Sequence, residues 1–288
     1  MSQCFSAPPS AHLAQGAVVI PFSPDRLSDS DICEHYIGTI QSQDGVRSAH
    51  IKILRDKALA NELIAATLGR ALGVPVPDFF LLEIAPEDYE YFAQSSVLAK
   101  RSEPHNSKAF ALATIEPRRD WSDFVGFAWQ RLNKWVQSDK CDLLFLMHAV
   151  LFDEWVLNSD RNPTNFQVDS KNKLWAIDHE SCFTGDRWEV SHLKTQQNDL
   201  NEDNELAQEL RQCLRDANLL TLAREYIDPF VCSAAKLPLH TIILANSGNN
   251  RLSKPERMAL KSFLEHRLGL VEALIHQHLD LPYQRRML

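Results

Sequence analysis

Residues 158–183 run Asn158-Ser-Asp160-Arg161-Asn162-Pro-Thr-Asn165-Phe-Gln-Val-Asp-Ser-Lys-Asn-Lys-Leu174-Trp-Ala-Ile177-Asp178-His-Glu-Ser-Cys-Phe183. Asp160 is followed five residues later by Asn165. Thirteen residues further on, the apolar run 174–177 delivers a second aspartate, Asp178. Just upstream, residues 143–152 form the longest nearly continuous apolar stretch, interrupted by His148. That is far short of the ~20 residues that cross a bilayer, so it reads as a buried core helix. Ser138 or Asp139 caps it, and it ends near Leu157. The whole segment therefore reads helix, loop, strand, turn, with Asp160 and Asn165 on the loop and Asp178 at the strand's end.

Those residue types suit phosphoryl transfer from Mg-ATP, which needs positioning and neutralised phosphate charge rather than covalent work from the protein. Asp160 is the candidate to orient a hydroxyl and accept its proton. Asn165 is a candidate metal ligand, and Asp178 would bridge metal and phosphates; carboxylate and amide oxygens are what Mg²⁺ takes. Each residue alone has a structural explanation. Asp160-Arg161-Asn162-Pro reads as an Asp-initiated turn with an Arg–carboxylate pair, and Asp178 as a cap on nearby amides. The joint spacing favours the chemical reading. Asp153 and Asn158 read as braces of the loop. His148, His179 and His192 lack metal-ligand spacing and read as core or surface histidines. Trp121, Phe124, Phe127, Trp129 and Trp135 read as packing.

The N-terminal third is strand-rich. Strands are expected at 16–21, 36–41, 48–54, 79–84 and 95–100, with Asp44-Gly45 turning a hairpin. In the strand at 48–54, His50 and Lys52 share one face and Ile51 and Ile53 the other. Lys52, between isoleucines, wants an anionic partner, and Glu62 follows on a helix expected at 59–72, which Gly73, Pro75 and Pro77 stop. Together these two would clamp ATP phosphates. The turn at 41–48 holds one glycine, and no Walker-type phosphate loop exists in the chain. Residues 101–106 are polar and contain Pro104. Helices are then expected at 201–217, 219–227 and 253–279, the last opened by Ser253-Lys-Pro-Glu256 with capping-box spacing and broken near Gly269. The expected organisation is α+β: a loose leader at 1–15, a small β-rich lobe with one helix at 16–102, and a larger helical lobe at 103–288, with the site between the lobes.

Composition narrows the function classes. The chain has 288 residues, 44% hydrophobic and 24% charged, with net charge −8, so direct nucleic-acid binding is not expected. Six widely spaced cysteines without C-x-x-C fit neither a zinc site nor a disulfide scaffold. The N-terminus lacks the order of a signal peptide, and neither a membrane span nor a basic membrane-facing helix is visible. A cytoplasmic location is the expectation.

Three stretches together resemble the HipA-like kinase family, itself distantly similar to phosphatidylinositol 3/4-kinases and to protein kinases. They are Ile51-Lys52-Ile53 with Ala60-Asn61-Glu62 and Leu72-Gly73-Val74-Pro75-Val76-Pro77; Asp153-Glu-Trp-Val-Leu-Asn158-Ser-Asp160-Arg161 with Asn165; and Trp175-Ala-Ile177-Asp178-His-Glu-Ser-Cys-Phe183. The resemblance implies a bilobal protein-kinase-like fold that uses ATP and Mg²⁺. It implies Asp160 as the catalytic aspartate, Asn165 and Asp178 as metal ligands, Lys52 as the ATP-binding lysine and Glu62 as its partner. Lys100 would begin the hinge that holds adenine. Asn162 stands where related kinases often have histidine, and an extra N-terminal subdomain of the toxin members is expected to be missing. Some members phosphorylate proteins and act as toxins paired with a DNA-binding antitoxin, which implies a possible antitoxin-like partner. The expected activity is phosphorylation of a protein Ser/Thr hydroxyl. The alternatives are a lipid or small-molecule kinase, adenylyl transfer, and a pseudokinase serving as nucleotide sensor or interaction module.

Overall fold

The computed structural model describes residues 12–13, 28–29, 33–42, 45–84, 109–115, 140–162, 165–168, 174–202, 204–213 and 217–279. Strands β3 (Cys33–Ser42) and β4 (Gly45–Leu54) pair antiparallel from Ser42↔Gly45 to Cys33↔Leu54, so two residues, Gln43 and Asp44, connect them and Gly45 opens β4. They belong to a six-stranded sheet with β1 (His12–Leu13), β2 (Ser28–Asp29), β5 (Phe79–Ile84) and β6 (Ala109–Ile115), in the order β1-β5-β6-β4-β3-β2. Among the described strands of this sheet only the β1–β5 pair is parallel. Ala49, Ile51 and Ile53 of β4 are buried on one face. His50 and Lys52, on the other, are buried as well, so both faces of this strand are covered.

Strand β6 was not anticipated, and it lies past the boundary expected at 102. It sits between β4 and β5, so the sheet-forming chain extends at least to Ile115. The leader beyond β1 and the strands expected at 16–21 and 95–100 fall outside the described residues.

Helix α1 (Asp56–Ala71) follows β4 directly. Every residue from Ala58 to Gly69 is buried, the pattern of a helix enclosed on all sides rather than one with a wet face. Gly73, at φ +80, ends it with its N–H on the Arg70 carbonyl, and the Val74 N–H returns to Gly69. Gly69 also permits close packing: a Cβ there would lie 3.3 Å from Val76 Cγ2 and 3.4 Å from Phe152 Cζ.

Phe152 belongs to α2 (Lys140–Val156), the expected core helix. A short hairpin of β7 (Phe166–Val168) and β8 (Leu174–Ala176) follows it. The remainder is helical: α3 (Val190–Thr195), α4 (Glu205–Cys213), α5 (Ala217–Ala234), α6 (Leu239–Arg251), α7 (Lys254–Leu268) and α8 (Val271–His278). Helix α4 starts later than expected because Asn204 caps it, accepting from the Ala207 N–H at 3.0 Å. Helix α5 runs past its expected end, through Pro229. Ser253 and Glu256 form the capping box that starts α7, and the break from α7 to α8 falls at Gly269. One apolar core runs from Leu54 and α1 through α2 to Leu279. Among the described residues no single helix is long and apolar enough to cross a membrane.

Candidate active site

The loop after α2 is built around one buried guanidinium. Arg161 donates through Nε to Asp153 Oδ2 (2.8 Å) and through Nη2 to Asp153 Oδ1 (3.1 Å), both side chains being fully buried. Its Nη1 donates to the backbone carbonyls of Asn165 (3.1 Å) and Ile177 (2.6 Å). Asp153 also accepts from Asn158 Nδ2 at 3.0 Å. The Ile177 N–H closes on the Asn165 carbonyl at 3.0 Å. The turn of Asp160 and Asn165 is thereby tied to the residue before Asp178. Planar, multi-donor recognition of this kind is arginine chemistry that lysine does not reproduce.

Within that frame Asp160 is exposed. Its N–H meets Asn158 Oδ1 (3.3 Å) and its Oδ1 accepts from Asn162 Nδ2 (2.9 Å). Asn165 is buried and directs its amide nitrogen at the Asp160 carbonyl and at Asp160 Oδ2. The amide oxygen is the atom of Asn165 that a hard cation would take.

Lys52 reaches this region from β4. Its ammonium contacts Asp178 Oδ1 and lies 3.1 Å from Glu180 Oε2. Carboxylate oxygens of Glu62, Asp178 and Glu180 all lie within 4.8 Å of one another. The set offers only oxygen donors and excess negative charge, which fits a hard divalent cation of the Mg²⁺ type. Asp178 adopts φ +63, a left-handed conformation that aspartate tolerates better than most residues. It is followed by the His179 N–H donating to Glu62 Oε2 at 2.5 Å. Glu62 thus holds the backbone beside Asp178 as well as sharing the field of Lys52.

Asn61 holds the rest of the segment. Its Nδ2 lies 2.9, 3.0 and 2.9 Å from the carbonyls of Glu180, Cys182 and Gly185, and its Oδ1 accepts from Trp188 Nε1 at 2.9 Å. The Phe183 N–H returns to Val156 of α2 at 2.8 Å. Residues 179–188 are therefore fixed to α1 and α2 along their length.

Burial sets the protonation states here. It raises the Glu62 carboxyl above its ordinary range, against the opposing pull of Lys52 and with reinforcement from Glu180. It pushes His179 well below the usual imidazole value, and Arg161 and Lys52 add to the shift. A neutral His179 ring matches its Nδ1 lying 3.1 Å from Arg161 Nη2. Burial opposes the Arg161 charge, but Asp153 outweighs it and holds the guanidinium above its usual value. Burial raises the Cys182 thiol well above its usual range, keeping it protonated.

Lys52, Glu62 and Asp178 come together directly, and Arg161 links Asp160 and Asn165 to them. Lys100 lies outside the described residues. Sequence reasoning missed Glu180, the second carboxylate at Lys52; its spacing of two from Asp178 was the available signal. It also missed the work of Asn61, which had appeared only as a letter of the Asn-Glu pair.

A family model described as HipA-like kinase matches residues 49–220, more than half of the chain. The chain belongs to the HipA-like kinase family. The matched segment holds Lys52, Glu62, Asp160, Asn165, Asp178 and Glu180 and ends before α6, α7 and α8. Kinase activity with ATP is what this family implies for the chain, and the carboxylate cluster suits a divalent cation. In fold, this HipA-like chain is similar to the crystal structure of a Helicobacter pylori proinflammatory kinase, CtkA. The TM-score is 0.53 at 12% identity, over 96% of this chain and 100% of that one. At that identity the likeness concerns the fold. No curated protein matches the sequence.

Proposed function

We propose that this HipA-like kinase transfers the γ-phosphoryl group of ATP, with Mg²⁺, to a serine or threonine hydroxyl of a protein. The observation that carries the proposal is the meeting of Lys52 from β4 with Asp178 after β8, while Arg161 ties the Asp160–Asn165 turn to that same strand. In this reading the sheet with α1, through about residue 115, forms one lobe and the helical remainder the other. The nucleotide lies between them.

Lys52 would bind phosphate oxygens, with Glu180 against its ammonium and Glu62 sharing its field. Asp178 and Asn165 would hold Mg²⁺, which when bound would supply neutralisation of phosphate charge. Asp160 orients the acceptor hydroxyl and takes its proton. Its exposure suits an acceptor carried on a macromolecule, and Asn162 fixes the carboxylate rotamer.

The test is turnover of γ-labelled ATP with Mg²⁺ by wild type and Asp160→Ala, using the protein itself and candidate proteins as acceptors. The proposal expects label on Ser or Thr and a loss of several powers of ten in kcat in the variant, with ATP binding kept. Label extracted into lipid or small molecules would move the acceptor class. Label from α-labelled ATP would indicate adenylyl transfer. Unchanged turnover in Asp160→Ala would remove Asp160 from the mechanism. A thermal unfolding shift with Mg-ATP that vanishes in Asp178→Ala would support the metal assignment; ligand at ~100 times Kd stabilises by about 2.7 kcal/mol.

A further inference from the structure

Helix α2 ends in two consecutive acids, Asp153 and Glu154, both fully buried. Successive helical residues point about 100° apart, so the two serve different partners. Asp153 serves the loop through Asn158 and Arg161. Glu154 faces the C-terminal helices: Oε1 accepts from Arg267 Nη2 of α7 at 2.9 Å, and Oε2 lies 3.3 Å from His278 Nδ1 of α8.

Arg267, itself fully buried, does more than neutralise Glu154. Its Nε donates to the carbonyls of Glu154 (3.1 Å) and Trp155 (3.0 Å), and its Nη2 also meets the Glu154 carbonyl. These are last-turn carbonyls of α2, of which Glu154's also accepts the Leu157 N–H at 3.4 Å, and the C-terminal end of a helix favours a cation. Its Nη1 donates to the carbonyls of Asp199 (2.8 Å) and Gln197 (3.4 Å). The guanidinium therefore anchors the segment that carries Asn201. Asn201 in turn donates its N–H to Glu154 Oε1 (3.2 Å) and its Nδ2 to the carbonyls of Asn158 (2.7 Å) and Asp153 (3.3 Å). Asn158 Oδ1 receives the Asp160 N–H. An unbroken polar path joins α7 to the candidate catalytic aspartate.

We infer that Arg267 is a positioning residue for the Asp160 loop, and that α7 and α8, beyond the end of the family match, are part of the catalytic apparatus. The inference rests on the kinase reading for its catalytic arm only. Arg267 acts through Glu154, Asn201 and Asn158 and touches no substrate. Replacing both partners by apolar residues avoids leaving one charge buried and unpaired, so the double variant reads the lost hydrogen bonds of Arg267 and Glu154 rather than an orphaned charge.

The experiment uses the full chain as wild type, Arg267→Lys, Arg267→Met and the double variant Arg267→Met/Glu154→Met. It follows denaturant stability, amide hydrogen exchange, the Mg-ATP thermal shift, and kcat with KM for ATP. The expected result is selectively faster exchange of amides 157–165 in both methionine variants. With it goes a kcat loss on the order of 10²-fold, the scale for a small misplacement of a reacting group, at unchanged KM for ATP. Arg267→Lys recovers part of both, retaining charge but not the multi-donor fork. Wild-type loop exchange in the methionine variants, or acceleration spread evenly over the molecule, would overturn the inference, as would kcat falling only in proportion to folded protein. If wild type turns over no ATP, the kinase reading fails, and the exchange measurement still decides for or against Arg267.

Discussion

Removing the Asn61 side chain tests the fixed segment 179–188 most severely. Asn61 and Trp188 are both essentially inaccessible to solvent. In Asn61→Ala the Trp188 indole N–H loses its acceptor, whereas the Cys182 carbonyl loses one donor and keeps the Gly185 N–H at 3.3 Å. A buried polar group left without a partner costs about 1–3 kcal/mol, so the orphaned indole sets a loss of that order. The carbonyls of Glu180 and Gly185 are closer to solvent and can turn to water, which limits their share. Against a typical total of 5–15 kcal/mol, the loss is substantial, and the melting temperature should fall on the order of 2–6 °C. Urea unfolding followed by tryptophan fluorescence gives the free energy directly. The double variant Asn61→Ala/Trp188→Phe should recover part of the loss, because the orphaned donor is then absent. A cost below about 0.5 kcal/mol for Asn61→Ala, or strict additivity with Trp188→Phe, would refute the reasoning.

Lys52→Met should abolish most of the Mg-ATP thermal shift, and Glu180→Gln should raise KM for ATP about fivefold, the equivalent of ~1 kcal/mol; isothermal titration and steady-state kinetics check the pair. His148 packs edge-on against Tyr226, and burial holds its pKa below the ordinary 6.5. The unfolded chain therefore binds the extra proton first, and stability falls as pH drops from about 6.5 toward the lower folded value. His148→Leu should flatten that part of a stability–pH curve. Gly73→Ala places a Cβ at φ +80 and should cost about 1–2 kcal/mol in denaturant unfolding, with KM for ATP unchanged.

Much of this was legible in sequence wherever the signal was local. The Asp44-Gly45 turn and the alternation around Lys52 announced the β3–β4 hairpin, and Gly73 with Pro75 and Pro77 marked the end of α1. The spacing of Asp160, Asn165 and Asp178 singled out the loop and strand that Arg161 binds together. What escaped depended on distant partners or on atypical letters. Glu180 faces Lys52 only after the left-handed turn at Asp178, and the partners of Arg267 lie 68 to 113 residues away. Helix α6 was hidden because its Asn246 and Ser247 look like turn residues. In the fold Asn246 satisfies itself on the Ile242 carbonyl at 2.9 Å and Ser247 is buried. Helix α3 was hidden because its capping box uses Glu189 and His192 in place of the usual Ser/Thr and Glu.

Helix α1 is buried at every position from Ala58 to Gly69 and packs along α6. Its tolerance to substitution should therefore lack the 3.6-residue rhythm of ordinary surface helices. A saturation library across these twelve positions should be depleted almost evenly, with enlargements of Ala58, Ala60, Ala65, Ala66 and Gly69 lost as readily as truncations of Leu59, Leu63 and Leu68. The same enclosure leaves the helix no free side on which to swing. Control of this enzyme by tilting that helix in and out, a common device where such a helix has one wet flank, would require opening the core itself.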